Sequence, residues 1–150
     1  MLSKAYLIVL VFVIFAGSFF YFSSNSSYKN STQSRVYYFL GDYEKALYHA
    51  QIAYELDSYN KMAFTVLTQS KIAKKYENYI QEGNLYLQKI ATISDKTILG
   101  DGDRFRIKMM CEVMIDSFDM LTPTALTDKN LLENAKKMQE KFKQLYKELF

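Results

Sequence analysis

Apolar and polar positions follow helical periods along most of this chain, with one segment that is apolar without interruption. From Ala5 to Phe22 there is no charge. The run covers about 18 residues, and a helix needs about 20 to cross a ~30 Å hydrocarbon core. Tyr6 and Tyr21 stand near its ends, where aromatic rings favour a membrane interface. The pattern predicts an N-terminal signal-anchor or transmembrane helix over residues 1–22, with the lipid bilayer as partner of the segment from Ala5 to Phe22. A cleaved signal peptide competes, with Ala16-Gly17-Ser18 as the small-residue site. Cleavage there would leave Phe19 at a sticky new terminus, so the uncleaved anchor is the expected form. Lys4 and the terminal amine favour a cytoplasmic tail, which puts the remainder on the periplasmic side.

Residues 23–33 are Ser/Asn-rich and short of core residues, and they read as a polar tether. Asn30-Ser31-Thr32 fits a glycosylation acceptor, a triplet common by chance. Residues 34–40 should form a short helix, and Gly41-Asp42 a tight turn. Beyond it Tyr43, Ala46, Leu47, Ala50, Ala53 and Tyr54 mark one buried helix face, its alanines suited to close packing. Asp57-Ser58-Tyr59-Asn60 ends that helix. Two further helices are expected over residues 62–75 and 76–93, the first packing through Phe64, Leu67, Lys71 and Ile72. Residues 94–103 break the pattern, and Asp103 is the natural cap of a helix over 104–121. That helix has Ile107, Met110, Cys111, Met114, Ile115 and Phe118 on one face and ends before Pro123. Thr127 or Asp128 can cap the last helix, whose seam is Leu131, Ala135, Met138, Phe142, Leu145 and Leu149. This heptad-like seam either caps the helical stack or binds a partner.

The 150 residues allow an anchor, a tether and one helical domain over residues 34–150. A net charge of +3, partly due to Lys4, is too small to argue for nucleic acid. Richness in Lys, Asn, Ile, Tyr and Phe is typical of A/T-rich bacterial genomes. One cysteine, Cys111, excludes an intrachain disulfide and any cysteine-pair metal site.

Candidate chemistry is sparse. His49 has no Asp, Ser or Cys near it in sequence to orient it as a base. Asp95, Asp101 and Asp103 could offer oxygen ligands, but counting a calcium loop from Asp101 puts Arg106 where glycine is required. Cys111 with Met109, Met110, Met114 and Met120 reads as core filling at helical spacing. No phosphate loop, carboxylate pair or nucleophile motif is present. The chain is therefore expected to be no enzyme, with no cofactor and no metal.

Residues 37–60 resemble the second half of a tetratricopeptide repeat. The matching positions are Gly41, Asp42, Tyr43, Ala46, Ala53, Leu56, Asp57 and Asn60, with Ser58 where that family usually has proline. A fainter echo over residues 61–93 sets Tyr43-Glu44 on Tyr76-Glu77, Leu47 on Ile80, Ala50 on Gly83 and Tyr54 on Leu87. With the apolar N-terminal run, the resemblance implies an all-α fold: a transmembrane helix, then a short degenerate antiparallel solenoid with C-terminal capping helices. In such repeats the first helix of each pair lines a groove, which by position implies protein binding by Arg35, Tyr38, Thr65, Gln69 and Ile72. The function implied is that of a non-enzymatic, membrane-anchored scaffold or adaptor. It would be a subunit of a multiprotein bacterial envelope machine at the inner membrane, such as a flagellar motor or secretion system. The alternatives are an anchored chaperone or assembly factor that binds clients transiently, and a small anchored enzyme accessory.

Overall fold

The computed structural model describes residues 4–96 and 98–150, with side chains over 6–20, 24–96 and 98–150. The described residues form six helices and no strand: α1 (Lys4–Ser24), α2 (Ser26–Phe39), α3 (Tyr43–Leu56), α4 (Lys61–Ser94), α5 (Asp101–Asp119) and α6 (Lys129–Leu149). The all-α class is as the periodicity predicts. Where one domain over 34–150 is expected, the chain divides into two compact units, residues 1–70 and 71–150. Helix α4 gives residues 61–70 to the first and 71–94 to the second.

In the first unit, every described side chain of α1 over residues 6–20 is exposed. Phe12 at 75% and Phe20 at 76% are typical. Among the described residues, no helix is long and apolar enough to cross a membrane. Residues 6–20 alone span about 22 Å at 1.5 Å per residue, against a core of ~30 Å.

The polar tether expected over residues 23–33 is corrected: residues 26–33 are the first turns of α2. Asn25 caps that helix, its Oδ1 accepting from the Ser27 N–H at 3.0 Å and the Tyr28 N–H at 3.3 Å. Ser27, Ser31 and Ser34 lie buried along one side. Their hydroxyls donate to backbone carbonyls, Ser27 to Ala53 at 2.8 Å, Ser31 to Tyr28 at 2.9 Å and Ser34 to Ser31 at 2.7 Å. Serines so satisfied cost little to bury. Their small size lets α2 lie close to α3, whose Ala46, Ala50 and Ala53 are fully buried. Asn30, the glycosylation candidate, donates instead to the Ser26 carbonyl at 2.9 Å, beside the buried Ser31.

The hairpin turn between α2 and α3 falls where the sequence places it. Gly41 takes φ 78°, the left-handed conformation that glycine adopts without penalty. Asp42 then caps α3 by accepting from the Lys45 N–H at 3.0 Å. Val66 and Leu67 of α4 join Ala46 and Ala50 in the core of this unit, with Tyr37, Tyr38, Leu47, Tyr54 and Met62 around them.

The second unit is an antiparallel three-helix bundle of α4 (residues 71–94), α5 and α6. The separate helices expected over 62–75 and 76–93 are one continuous helix, so the repeat echo does not make a second helical pair. In the register that sets Tyr43 on Tyr76, Gly41 and Asp42 fall on Lys74 and Lys75. Neither breaks a helix, and Lys74 pairs with Glu77 at 3.0 Å along α4. The core holds Tyr76, Tyr79, Ile90, Ile107, Cys111, Met114, Ala135, Met138 and Phe142.

Asp103 does not cap α5. The helix starts at Asp101, three residues earlier than expected, with Gly100 at the cap position and no side-chain cap bond. Both Asp103 carboxylate oxygens instead lie 2.9 Å from Lys96 Nζ, tying the α4–α5 connection together. Asp128 does cap α6, accepting from the Asn130 N–H at 2.7 Å and more weakly from that of Leu131.

Candidate protein-binding surfaces

The five positions inferred from the repeat resemblance have different fates. Arg35 is exposed, its guanidinium 5.6 Å from the Phe39 ring centre. Tyr38 is half-buried, edge-on to Tyr43 at 5.3 Å. Thr65 is exposed, and its hydroxyl donates back to the Lys61 carbonyl at 2.8 Å. Gln69 is only 8% exposed. Ile72 packs on the core of the second unit. Only Arg35 and Thr65 thus offer open side chains. Beside Arg35, the end of α2 exposes Val36, Phe39 and Leu40, an apolar ridge at helical spacing.

The α6 seam faces inward. Ala135, Met138 and Phe142 are buried in the bundle, Leu131 and Leu145 pack at its edge, and Leu149 is exposed near the chain end. Five of its six side chains are used in covering the core of their own unit.

A trough of about 880 Å³ between α4 and α5 went unread in the sequence. Its α4 wall is Leu85, Gln88, Lys89, Thr92 and Ile93, and its α5 wall is Gly102, Phe105, Arg106, Met109 and Met110. The signal was a second apolar stripe on α5: Phe105, Met109 and Val113, exposed at four-residue spacing beside the buried Ile107, Cys111 and Met114.

Three titratable side chains, His49, Cys111 and Tyr79, take part in packing. His49 is half-buried, with Nδ1 3.0 Å from Asn30 Oδ1 and its ring stacked on Tyr37 at 5.3 Å. Burial, with Glu112 adding, pushes the Cys111 thiol up, away from the reactive thiolate. Burial, with the Asp119 carboxylate adding, pushes the Tyr79 phenol up to about 12. Its hydroxyl donates to the Met114 carbonyl at 2.9 Å. Among the described residues, no group of three or more His, Cys, Asp or Glu side chains could hold a metal ion.

Against this geometry stand the comparisons with known proteins: no protein-family model, no curated protein and no solved structure matches the chain.

Proposed function

We propose that the chain is a non-enzymatic adaptor held at a membrane by its first helix, with the helices that follow binding another protein. The observation that carries this reading is the surface of α1. Over residues 6–20 its side chains are exposed and, Ser18 apart, without a polar position that repeats along one side; Phe12, Phe15, Phe19 and Phe20 are among them. Burying each such side chain is worth about 1.5–3 kcal/mol, so a surface of this extent calls for a cover. A helix with no polar stripe fits lipid on all faces better than one protein groove. The segment from Ala5 to Phe22 is the proposed span, in the inner membrane of a bacterial envelope, with the later helices on the periplasmic side.

Support for protein binding comes from the α2–α3 hairpin. Its Gly41 turn, Asp42 cap and alanine face agree with the tetratricopeptide resemblance. Exposed apolar surface at Phe39 and Leu40, and again at Phe105 and Met109, is of the kind that partners cover. A fixed subunit of an envelope machine is the assembly that fits an anchored adaptor.

Two measurements on the full chain test this. The first is flotation with lipid vesicles under high salt. The wild type should float, and Val11→Lys with Phe15→Lys should not, since each lysine at a span centre costs about 2.5–3.5 kcal/mol. A wild type that stays at the bottom of the gradient overturns the anchor. The second is quantified co-purification from native membranes in mild detergent. Partners in simple ratios support the subunit reading, whereas a shifting, substoichiometric set favours a chaperone.

A further inference from the structure

We propose that the trough between α4 and α5 docks an amphipathic helix of a partner protein, apolar on its inner face and acidic along its edges. The inference rests on the protein-binding reading above and names the partner's chemistry.

The walls are apolar and open. Leu85 is 48% exposed, Phe105 62% and Met109 47%, although all three line the same concavity. Each wall runs over eight residue steps, from Leu85 to Ile93 and from Gly102 to Met110, or about 12 Å. That length matches about two turns of a third helix laid between two antiparallel ones, the common helix-in-groove arrangement. Met109 and Met110 supply unbranched, adaptable side chains where such a helix would pack. A small apolar ligand would need a pocket enclosing most of its surface, and walls this exposed do not provide one.

Charge selects the edges of the occupant. Lys89 and Arg106 are the only charged residues in the lining, and both are cations. Lys89 lies 5.5 Å from the Tyr86 ring centre and makes no ion pair among the described residues. Arg106 has its carboxylate neighbour, Asp103, only at 4.0 Å. Asp103 is already held by Lys96 at 2.9 Å. Two cations with little local compensation flank an apolar floor, so carboxylates on the incoming helix complement them.

The test uses the full chain in mild detergent and a displayed library of helical peptides with an apolar face and randomised edge positions. Peptides are selected on the wild type and counter-selected on Phe105→Asp with Met109→Asp, both at exposed positions. The expected result is enrichment of Asp and Glu at the edges. Lys89→Glu with Arg106→Glu should then weaken the selected peptides about tenfold or more and favour basic-edged ones. Circular dichroism should show both double variants folded. Enrichment of neutral or basic edges, or no enrichment over the counter-selected variant, overturns the proposal. So does competition by anionic lipid added to the detergent as mixed micelles, or self-association abolished by Phe105→Asp, since the trough would then belong to lipid or to a second copy. The flotation assay is read separately: a chain that fails to float yet selects acidic helices keeps this inference and loses the anchor.

Discussion

The Asn60 side-chain amide donates to the Ser27 hydroxyl at 2.9 Å and to that of Ser31 at 3.2 Å, across 33 and 29 residues of chain that hold the whole turn of the helical hairpin. The same side chain caps α4, its Oδ1 accepting from the Ala63 N–H at 3.1 Å. One buried amide therefore fixes the start of α4 and the serine face of α2 together. Through Ser27, which donates onward to the Ala53 carbonyl, the network also reaches α3.

Asn60→Ala should destabilise the first unit by about 2–4 kcal/mol. Loss of the cap costs about 1 kcal/mol, and buried hydroxyls deprived of a partner add about 1–3 kcal/mol. Amide hydrogen exchange should locate the loss in α2, α3 and the first turns of α4. Ser27→Ala should cost less, since alanine fits the small site and only one polar group goes. Unchanged exchange in α2 on Asn60→Ala would show that the network does not hold that helix.

Gly83 is the close-contact point of the second unit. A Cβ there would lie 2.6 Å from Met138 Cγ and 2.8 Å from its Sδ, with Met114 Cε at 3.1 Å. Met138 is buried, so its side chain has little room to yield. Gly83→Ala gains up to about 1 kcal/mol in helix propensity but should lose about 1–3 kcal/mol to overpacking. The net expectation is destabilisation. In a Met138→Ala background the two shortest contacts are gone and the Met114 methyl, the end of a flexible side chain, has space to move, so the same substitution should become stabilising. Denaturant titration of the four proteins gives the coupling directly, and additive effects would contradict the contact.

Tyr79 gives the second unit an alkaline limit. Its phenol is held neutral in the folded state up to about 12, chiefly by burial. The unfolded chain loses that proton near its ordinary value of about 10. The stabilisation is thus complete below pH 10 and is lost as pH rises towards 12, an effect of order 2 kcal/mol. Tyr79→Phe should lower stability by about 1 kcal/mol at neutral pH through loss of the bond to the Met114 carbonyl. It should also flatten the pH dependence between 10 and 12. Equal alkaline slopes in the two proteins would assign the limit to other groups.

Much of the helical framework was legible because its punctuation is local. Gly41 and Asp42 announce a turn by backbone conformation and capping, and the alanine face of α3 by spacing alone. The spacing of the α6 seam singled out Ala135, Met138 and Phe142 but left open whether they cover a core or a partner; the structure buries them in their own unit. The serine face of α2 was not legible. A run of Ser and Asn reads as solvated until Ala53 and Asn60, distant in sequence, are seen to supply its partners. The repeat echo misled for the opposite reason: it carried the apolar spacing of a helical pair without the turn residues that divide one. The trough was hidden because Met109, at helical spacing among other sulfur side chains, reads as core filling when the neighbouring wall is unknown.

Two prolines of opposite effect test how the chain divides its helices. Lys75 is exposed but sits inside α4. Proline there removes one intrahelical hydrogen bond and its ring meets the preceding turn, so Lys75→Pro should cost about 3 kcal/mol or more. Were residues 74–75 a turn, as the repeat echo implies, the substitution would be mild. Ser58 is the contrasting site. Asp57 before it is extended, with φ −152° and ψ 100°, as a residue preceding proline prefers. The Asn60 N–H returns to the Asp57 carbonyl at 3.1 Å, which makes Ser58 the second residue of a β-turn, where proline is favoured. Ser58→Pro should therefore stabilise the first unit by about 0.4–1 kcal/mol by restricting the unfolded chain. Thermal unfolding of the two variants should move in opposite directions. A destabilising Ser58→Pro would mean that the turn needs its N–H, and a harmless Lys75→Pro would mean that α4 is broken in solution.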